Sequence, residues 1–182
     1  MQVYREKTLK LEQCVITIGA FDGIHIGHQS LISNAVRRAK DLNVPSVVYT
    51  FDPPPRVYFQ NQLLLTPVSE KLKFIKRLNV DYVILADFNQ QYTTREAKDF
   101  MNELSGLSPR EVWVGPNFQF GKGKEGTTAC LAENFDTHIH PLIKCARGET
   151  VSSTRIRNLI RHKKMDMACE LLGRPNLEIS VY

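Results

Sequence analysis

Apolar residues occur along the chain in two alternating patterns. Short runs of β-branched and aromatic residues without polar alternation predict strands that are covered on both faces. Between these runs, apolar positions three and four residues apart predict amphipathic helices. The predicted strands cover residues 15–18, 46–51, 82–86 and 111–115, and the predicted helices cover about 27–42 and begin near 67 and 94. The repeated strand–helix–strand order predicts a doubly wound, Rossmann-like α/β fold, an open parallel sheet flanked by helices.

The pattern continues less regularly in the last part of the chain. Residues 136–141 and 142–147 are typical of later strand segments. Ser152 or Ser153 is the predicted N-cap of the helix that follows, because a hydroxyl can accept a hydrogen bond from the first turn. A closing helix is predicted over residues 165–173.

Local sequence also predicts the environment of several polar residues. Thr66 is predicted to cap the helix that begins at Pro67, because threonine suits the N-cap and proline the first helical position. His138 and His140 alternate along a strand segment and therefore share one face. We expect them to be surface or partly packed residues rather than catalytic ones.

Composition favours a single globular domain over residues 1–182. Hydrophobic residues make up 42% of the chain, which is enough for a sizeable core. The apolar runs are short and flanked by charge, without a membrane span or a signal-peptide core, so we expect a cytoplasmic protein with no membrane partner. The four cysteines are widely separated and form no Cys-x-x-Cys pair, which predicts reduced core thiols rather than disulfides or a metal site.

The net charge of +5 is compatible with a nucleic-acid surface or with a site for small anions. The basic residues are spread over several predicted helices, each group being predicted to form a solvated face: Arg37, Arg38 and Lys40; Lys71, Lys73, Lys76 and Arg77; and residues 161–164. They are interleaved with acids and lack an aromatic stacking pattern. We therefore expect anionic small molecules, and no nucleic acid, as partners.

A strand-to-helix corner suited to phosphate lies at residues 19–28. It contains three glycines at four-residue spacing and two histidines, namely Gly19, Gly23, Gly27, His25 and His28. The glycines allow a sharp turn and a close approach of an anion to the main chain. The helix start adds free N–H groups and the positive end of the helix dipole. The histidines add donors, since one ring nitrogen always carries a hydrogen.

Other interpretations of this corner differ in what they require. An ordinary tight βα connection requires no ligand, and the spacing alone leaves it open. A zinc site requires a third ligand, and two histidines without a partner in register argue against any metal site here. A P-loop requires Gly-Lys followed by Ser or Thr, which the corner lacks.

Two loops that follow predicted strands carry further candidate residues. The sequence Asp-Pro-Pro-Pro-Arg at 52–56 is predicted to be a stiff extended loop at the carboxyl end of a strand, where open α/β sheets bind ligands. A rigid spacer is the alternative. The loop at 115–126 contains a Gly-x-Gly-x-x-Gly match, but it follows the fourth strand rather than the first and does not fit a dinucleotide fingerprint.

Residues 151–157 combine hydroxyl groups, a helix start and two arginines. The hydroxyls and the free N–H groups of the first turn predict a second anion site, with plain helix capping as the alternative. Arg155 and Arg157 lie about 200° apart around a helix, so both cannot face one phosphate.

These motifs resemble those of a known family. Gly-x-Phe-Asp-Gly-x-His-x-Gly-His at the corner resembles the phosphate-binding motif of the nucleotidyltransferase superfamily, in the form found in the adenylyltransferase module of bacterial FAD synthetases. Ser-Ser-Thr-x-Ile-Arg at 152–157 is similar to the second nucleotide motif of that superfamily. The resemblance extends from about Cys14 to Pro175 and implies a nucleotidyltransferase fold.

The resemblance assigns roles to individual residues. The implied ATP-binding residues are Gly19, Ala20, Phe21, Asp22, Gly23, His25, Gly27, His28, Ser153, Thr154 and Arg157, of which His25, His28 and Arg157 are the candidate catalytic residues. The implied flavin-binding residues are Asp52, Pro53, Arg56, Asn117 and Phe118. The chain departs from the family pattern on the acceptor side, where Pro54 replaces a histidine and Gln119 stands where arginine is frequent.

The implied activity is FMN adenylyltransferase, which transfers AMP from ATP, with Mg²⁺, to FMN and yields FAD and pyrophosphate. In the bifunctional family, the phrase at 171–175 marks the exit into a riboflavin kinase module, and residues 176–182 are expected to be too few to form one, so no kinase activity is expected. Two alternatives stay open: transfer to another phosphorylated acceptor, and a non-catalytic flavin- or nucleotide-binding regulator. The sequence leaves the oligomeric state open.

Overall fold

A six-stranded parallel sheet lies at the centre of the computed structural model, which describes residues 1–174. The strands in chain order are β1 Gln2–Tyr4, β2 Cys14–Ile18, β3 Ser46–Asp52, β4 Tyr82–Asp87, β5 Pro109–Val114, β6 Gln119–Phe120, β7 Gly126–Thr127 and β8 Thr137–Ile139. The order across the sheet is β1-β4-β3-β2-β5-β8, and β6 and β7 pair separately as an antiparallel hairpin. The predicted open parallel sheet is confirmed, with β2 at its centre.

Helices connect the strands and cover both faces of the sheet. They are α1 Ile26–Asp41, α2 Pro55–Gln60, α3 Val68–Arg77, α4 Gln90–Thr93, α5 Ala97–Ser105, α6 Thr128–Ala132, α7 Ser153–Arg161 and α8 Met165–Leu172, with a short 3₁₀ turn at Lys122–Lys124. The helices predicted after the first, second and third strands are confirmed as α1, α3 and α5. Pro175, which ends the predicted exit phrase, lies outside the described residues. Residues 176–182, which are expected to be too few to form a kinase module, also lie outside them.

Alternate residues of the central strands face two different hydrophobic clusters. Ile16 of β2 and Tyr49 of β3 pack with α5 and α6 on one face of the sheet. Val48 of β3 and Val83 of β4 pack with α1 and α3 on the other. Because successive side chains of a strand point to opposite faces, this division explains why the strands read as continuous apolar runs.

A third cluster joins the end of the described chain to the segment that precedes α3. Leu65 packs there with residues of α7 and α8, among them Ile156 and Leu171. This contact brings the start of α7 to the carboxyl edge of the sheet. None of the helices within residues 1–174 is long and apolar enough to cross a lipid bilayer.

Two predictions of local structure around the proline-rich segments are wrong. Pro67, not Thr66, is the N-cap of α3, because the first hydrogen bond of the helix runs from the Lys71 N–H to the Pro67 carbonyl. The 52–56 segment is not extended throughout, since α2 begins at Pro55, where proline suits the first helical position.

The predicted strand at 142–147 is also wrong. Only Lys144 makes a strand-like bridge, to Thr150, because the chain turns back on itself at Gly148, which has φ +78°. The histidines near β8 differ from each other. His138 stacks on Trp113 with ring centroids 4.7 Å apart, and His140 is buried with its Nε2 3.0 Å from the Ser30 Oγ.

Lys71 contradicts the prediction that its basic group forms a solvated face. Its side chain is fully buried, with 0% exposure, whereas Lys73 and Lys76 of the same helix are exposed. Lys71 precedes the buried Ile75 by four residues, so both occupy the face of α3 that packs on the sheet.

Candidate active site

The 19–28 corner follows directly from the central strand β2. The Gly19 N–H donates to the Tyr49 carbonyl at 3.1 Å, which continues the pairing of β2 with β3 into the corner. The backbone then turns through positive φ values at Phe21, Gly23 and Ile24. The chain thus leaves the sheet abruptly at its carboxyl edge and enters α1 at Ile26, one residue before the predicted start.

All three corner glycines leave little room for a side chain, and a Cβ on Gly19 would lie 2.9 Å from the Phe21 ring. Gly23 has φ +89°, and a Cβ there would lie 3.1 Å from Leu65 and 3.2 Å from Leu172. A Cβ on Gly27 would lie 3.2 Å from the His25 Nδ1. A side chain at any of these positions would disturb the contacts that hold the corner.

The two histidines of the corner form a stacked pair at the start of α1. His25 is the N-cap, and its Nδ1 accepts a hydrogen bond from the His28 backbone N–H at 3.2 Å. The neutral His25 ring therefore carries its hydrogen on Nε2. The ring of His28 stacks on it with centroids 3.6 Å apart and planes at 18°. The His28 Nδ1 is buried and has no hydrogen-bond partner among the described residues.

Both imidazoles are neutral at physiological pH. Burial lowers the pKa of His25 to about 4. Burial also lowers the pKa of His28 well below its ordinary value, and electrostatic interaction with His25 and with the positive charge of Lys71 lowers it further. The pair can therefore donate N–H hydrogen bonds to an anion, but it brings no net positive charge of its own.

Asp22 ties the corner to α7 and to the segment before α3. Its carboxylate accepts the backbone N–H groups of Leu65 at 3.1 Å and Thr66 at 3.2 Å, and it forms a buried ion pair with Arg157. Its carbonyl accepts the Ser153 hydroxyl at 2.8 Å. The two predicted nucleotide motifs are thus in direct contact through Asp22.

Helix α7 begins with the predicted cap. The Ser152 hydroxyl accepts the Arg155 N–H at 3.2 Å, which satisfies a donor of the first turn. Arg155 forms an ion pair with Glu149, while Arg157 points the other way and its Nε donates to the Leu63 carbonyl at 2.7 Å. The two arginines therefore diverge as the helical geometry predicts.

Arg157 is placed beneath the corner rather than on its surface. Its residue exposure is 2%, and its Nη1 is buried without a hydrogen-bond partner among the described residues. Its assignment as a ligand of ATP stays a prediction, and the structure shows it holding Asp22.

The predicted flavin residues lie on either side of β2, at the carboxyl ends of β3 and β5. Asp52 ends β3, and the Asp52-Pro53 peptide bond is cis. The Arg56 Nη1 donates to the Thr154 hydroxyl at 2.6 Å, so the 52–56 segment touches the start of α7. After β5, Asn117 is exposed, and Phe118 is partly buried in the same hydrophobic cluster as Phe51 of β3.

Sequence reasoning missed an aromatic group beside the 52–56 loop. Tyr58 and Phe59 of α2 are exposed, Phe59 by 64%, and both rings pack edge-on against Phe88, at 5.5 and 5.6 Å. Phe88 in turn packs against Tyr92 at 5.4 Å. The run Val-Tyr-Phe after the prolines is the signal that could have located it, but α2 itself was not predicted.

Sequence reasoning also missed the position of Lys71 beside the corner. Its Nζ donates to the Ala20 carbonyl at 3.2 Å and to the Phe51 carbonyl at 2.8 Å. Its position four residues before Ile75 was the available signal.

Comparison with known proteins places the site in a family context. A model of the FAD synthetase family matches residues 7–155. The chain is 44% identical over 167 residues to a Geobacillus thermodenitrificans protein named "Putative bifunctional riboflavin kinase/FMN adenylyltransferase", a match that covers 92% of this chain and 93% of that protein. It is 32% identical over 174 residues to the bifunctional riboflavin kinase/FMN adenylyltransferase of Escherichia coli, which covers 90% of this chain but 55% of that protein.

Two solved structures share the fold. A macrolide-efflux protein from Streptococcus pneumoniae superimposes with a TM-score of 0.82 at 29% identity, over 95% of this chain and 60% of that one. A pantoate–β-alanine ligase from Francisella tularensis superimposes with a TM-score of 0.53 at 14% identity, over 88% and 79% of the two chains. The chain therefore spans almost all of the Geobacillus relative and about half of the E. coli protein.

Proposed function

Since the chain belongs to the FAD synthetase family, we propose that it is an FMN adenylyltransferase, which transfers AMP from ATP to FMN and yields FAD and pyrophosphate. The resemblance predicted from the motifs is confirmed at the level of the family. The observation that carries the proposal is the contact among three motifs at one edge of the sheet. Asp22 joins the 19–28 corner to α7, and the hydrogen bond from Arg56 to Thr154 joins α7 to the 52–56 loop.

The reaction is a displacement at the α-phosphorus of ATP. A phosphate oxygen of FMN forms the new bond to the α-phosphorus, and the bond from that phosphorus to the oxygen bridging to the β-phosphate breaks, releasing pyrophosphate. The FMN phosphate is already an anion, so the attack requires no general base. The protein accelerates the transfer by positioning the two phosphates and by stabilising charge on the leaving group.

The stacked histidines donate the hydrogen bonds that stabilise the charge on the leaving group. In our proposal the Nε2–H of His25 and the ring of His28 donate to phosphate oxygens of ATP, next to the N-terminus of α1. Neutral imidazoles suit this role because they donate hydrogen bonds without a titration near neutral pH. The start of α7, with the Thr154 hydroxyl, provides the second group of donors.

Arg157 supports the site from below. Because its guanidinium is paired with Asp22, we assign it the task of fixing the corner against α7. Arg56, which is exposed and touches Thr154, is the arginine better placed to reach a phosphate between the two substrates.

We assign the acceptor to the side of the edge where the aromatic residues cluster. Phe59 and Tyr58 are exposed aromatic residues on the helix that follows the 52–56 segment, and a flavin ring is large, flat and apolar enough to stack on such rings. Pro54 is buried as the N-cap of α2, so the side chain at this departure from the family pattern offers no hydrogen-bond donor to the acceptor.

Mg²⁺ enters this proposal as part of the Mg–ATP substrate, where it neutralises the triphosphate. We place the reaction in the cytoplasm, where ATP and FMN are available. We propose FAD formation, and not riboflavin phosphorylation, as the activity of this domain, since the family match lies within the single α/β domain described above.

The test is to incubate the purified chain with FMN and Mg–ATP and to separate the flavins by chromatography. We expect FAD and pyrophosphate in equal amounts, and no FMN when riboflavin replaces FMN. A folded protein that binds ATP and makes no FAD would exclude the proposed activity. If label from α-³²P-ATP moves instead to another phosphorylated compound, nucleotidyl transfer stands and the acceptor assignment is wrong.

A further inference from the structure

Lys71 occupies an unusual position for a lysine. Its side chain is completely buried under the carboxyl edge of the sheet, although lysine is almost never fully buried without a partner. An apolar side chain of similar length would fill the same space without the cost of removing a charge from water. Burying the ammonium therefore costs free energy that packing alone does not explain.

The ammonium connects two segments of the chain to which the proposed function assigns different substrates. Its Nζ donates to the carbonyl of Ala20, in the 19–28 corner, and to the carbonyl of Phe51, one residue before Asp52. Ala20 follows the end of β2, and Phe51 lies near the end of β3, beyond its last pairing with β2. The ammonium thus bridges the backbone of the 19–28 corner and the end of β3, from which the 52–56 loop continues.

Charged and titratable groups surround the ammonium from three elements. Asp22 in the corner and Asp52 at the end of β3 favour its charged form. His28 on α1 responds to the same charge: burial is the main cause of its low pKa, and the positive charge of Lys71 contributes to it. Burial is the largest influence on Lys71 and lowers its pKa to about 8.

We propose that Lys71 is a positioning residue for adenylyl transfer, whose ammonium fixes the ATP corner against the acceptor loop so that the two reacting phosphates meet. This inference rests on the proposed function. The bonds go to backbone carbonyls, so Lys71 acts through the two segments and does not touch the substrates. Loss of the bridge leaves each substrate its own binding groups and removes their alignment.

The first test compares Lys71→Met, which keeps the stem and removes the charge, with Lys76→Met, which alters an exposed lysine of the same helix. For folded Lys71→Met we expect kcat to fall about 100-fold, the scale of a small misplacement of reacting groups, while the Kd of ATP and the Kd of FMN change less than about threefold. Lys76→Met should match the wild type. A folded Lys71→Met with kcat within threefold of the wild type would overturn the proposal.

The wild-type pH profile provides a measurement that needs no variant. The charged form of Lys71 is lost as the pH rises through about 8, and the neutral amine donates weaker hydrogen bonds to the Ala20 and Phe51 carbonyls, so kcat/KM for FMN should decline above that pH. Lys71→Gln, which keeps a donor without the charge, should lack this decline. If neither variant folds, a flat wild-type profile up to pH 9.5 overturns the proposal.

A third readout does not depend on FAD formation. Removing the positive charge in Lys71→Met should raise the pKa of His28 toward its ordinary value, which NMR titration of the ring signals measures. A wild type that makes no FAD, together with this shift, would refute the proposed function and leave the Lys71 coupling intact. An unchanged His28 titration would refute the coupling whatever the reaction.

Discussion

Replacing Asp22 by Asn tests whether the buried ion pair holds the site together. Asn keeps one oxygen for the backbone N–H groups of Leu65 and Thr66 but turns an amide toward the Arg157 guanidinium. The two side chains of the pair are only 4% and 3% exposed, so water cannot take the place of the lost carboxylate. Breaking a buried pair from one side costs about 3–5 kcal/mol, because the remaining charge is left uncompensated.

That cost is a large share of the stability of an ordinary domain, which is about 5–15 kcal/mol. Urea unfolding followed by circular dichroism at pH 7 measures it, with the slope of the transition checked for two-state behaviour. The matched control is Asp87→Asn, which breaks the exposed ion pair with Arg5 and should cost at most about 1 kcal/mol.

A double-mutant cycle separates the pair from the rest of the Asp22 contacts. Arg157→Met alone should destabilise, because Asp22 then stays buried without its counter-charge. The double variant should lose clearly less than the sum of the two single losses, because neither charge is left alone. An Asp22→Asn variant within 1 kcal/mol of the wild type, or strictly additive losses, would refute the reasoning.

Three further outcomes are expected. His28→Ala should reduce the rate of FAD formation by about 30- to 1,000-fold, as loss of a preorganised donor does, while His162→Ala, an exposed control, should leave it unchanged. The folded His25 ring stays neutral down to about pH 4, whereas the unfolded ring takes up a proton near pH 6.5. The contribution of His25 to the free energy of unfolding is therefore complete above pH 6.5 and falls by about 2 kcal/mol between pH 7 and pH 5. Equal urea midpoints at both pH values would contradict this. Ser152→Ala removes the cap of α7 and should lower the free energy of unfolding by about 1 kcal/mol in the same assay, and a neutral result would show that the cap is dispensable.

The regular part of the fold is predictable because the apolar pattern reports burial on both faces. Strands β2, β3 and β4 are continuous apolar runs, and they are the strands covered by helices on both sides. The edge strand β1 escaped prediction since its three residues are mostly exposed and carry no period. Its place is set by pairing with β4, far along the chain, which no local pattern records.

The candidate site also has features that local sequence predicts and features that it does not. Glycines, histidines and hydroxyls in a recognisable order predict the corner and the start of α7 as site segments, and the structure brings these two segments into contact. The ion pair between Asp22 and Arg157 and the buried position of Lys71 were not, because residue type alone predicts a charged side chain to be solvated. Their burial depends on which segments meet at the carboxyl edge, and that is a property of the tertiary structure.

The position of β2 has a consequence for how the protein is made. Ile16 of β2 pairs with Val47 on one side and with Val112 on the other, so the central strand is enclosed only when β5 has been synthesised. The supports of the corner come later still, since Ser153 and Arg157 belong to α7. Contacts between such distant parts of a chain form slowly, because a long loop must close first. A nascent chain that ends before α7 therefore carries the whole 19–28 corner without the contacts from Ser153 and Arg157, and we expect the corner to take its final form only when α7 folds against it.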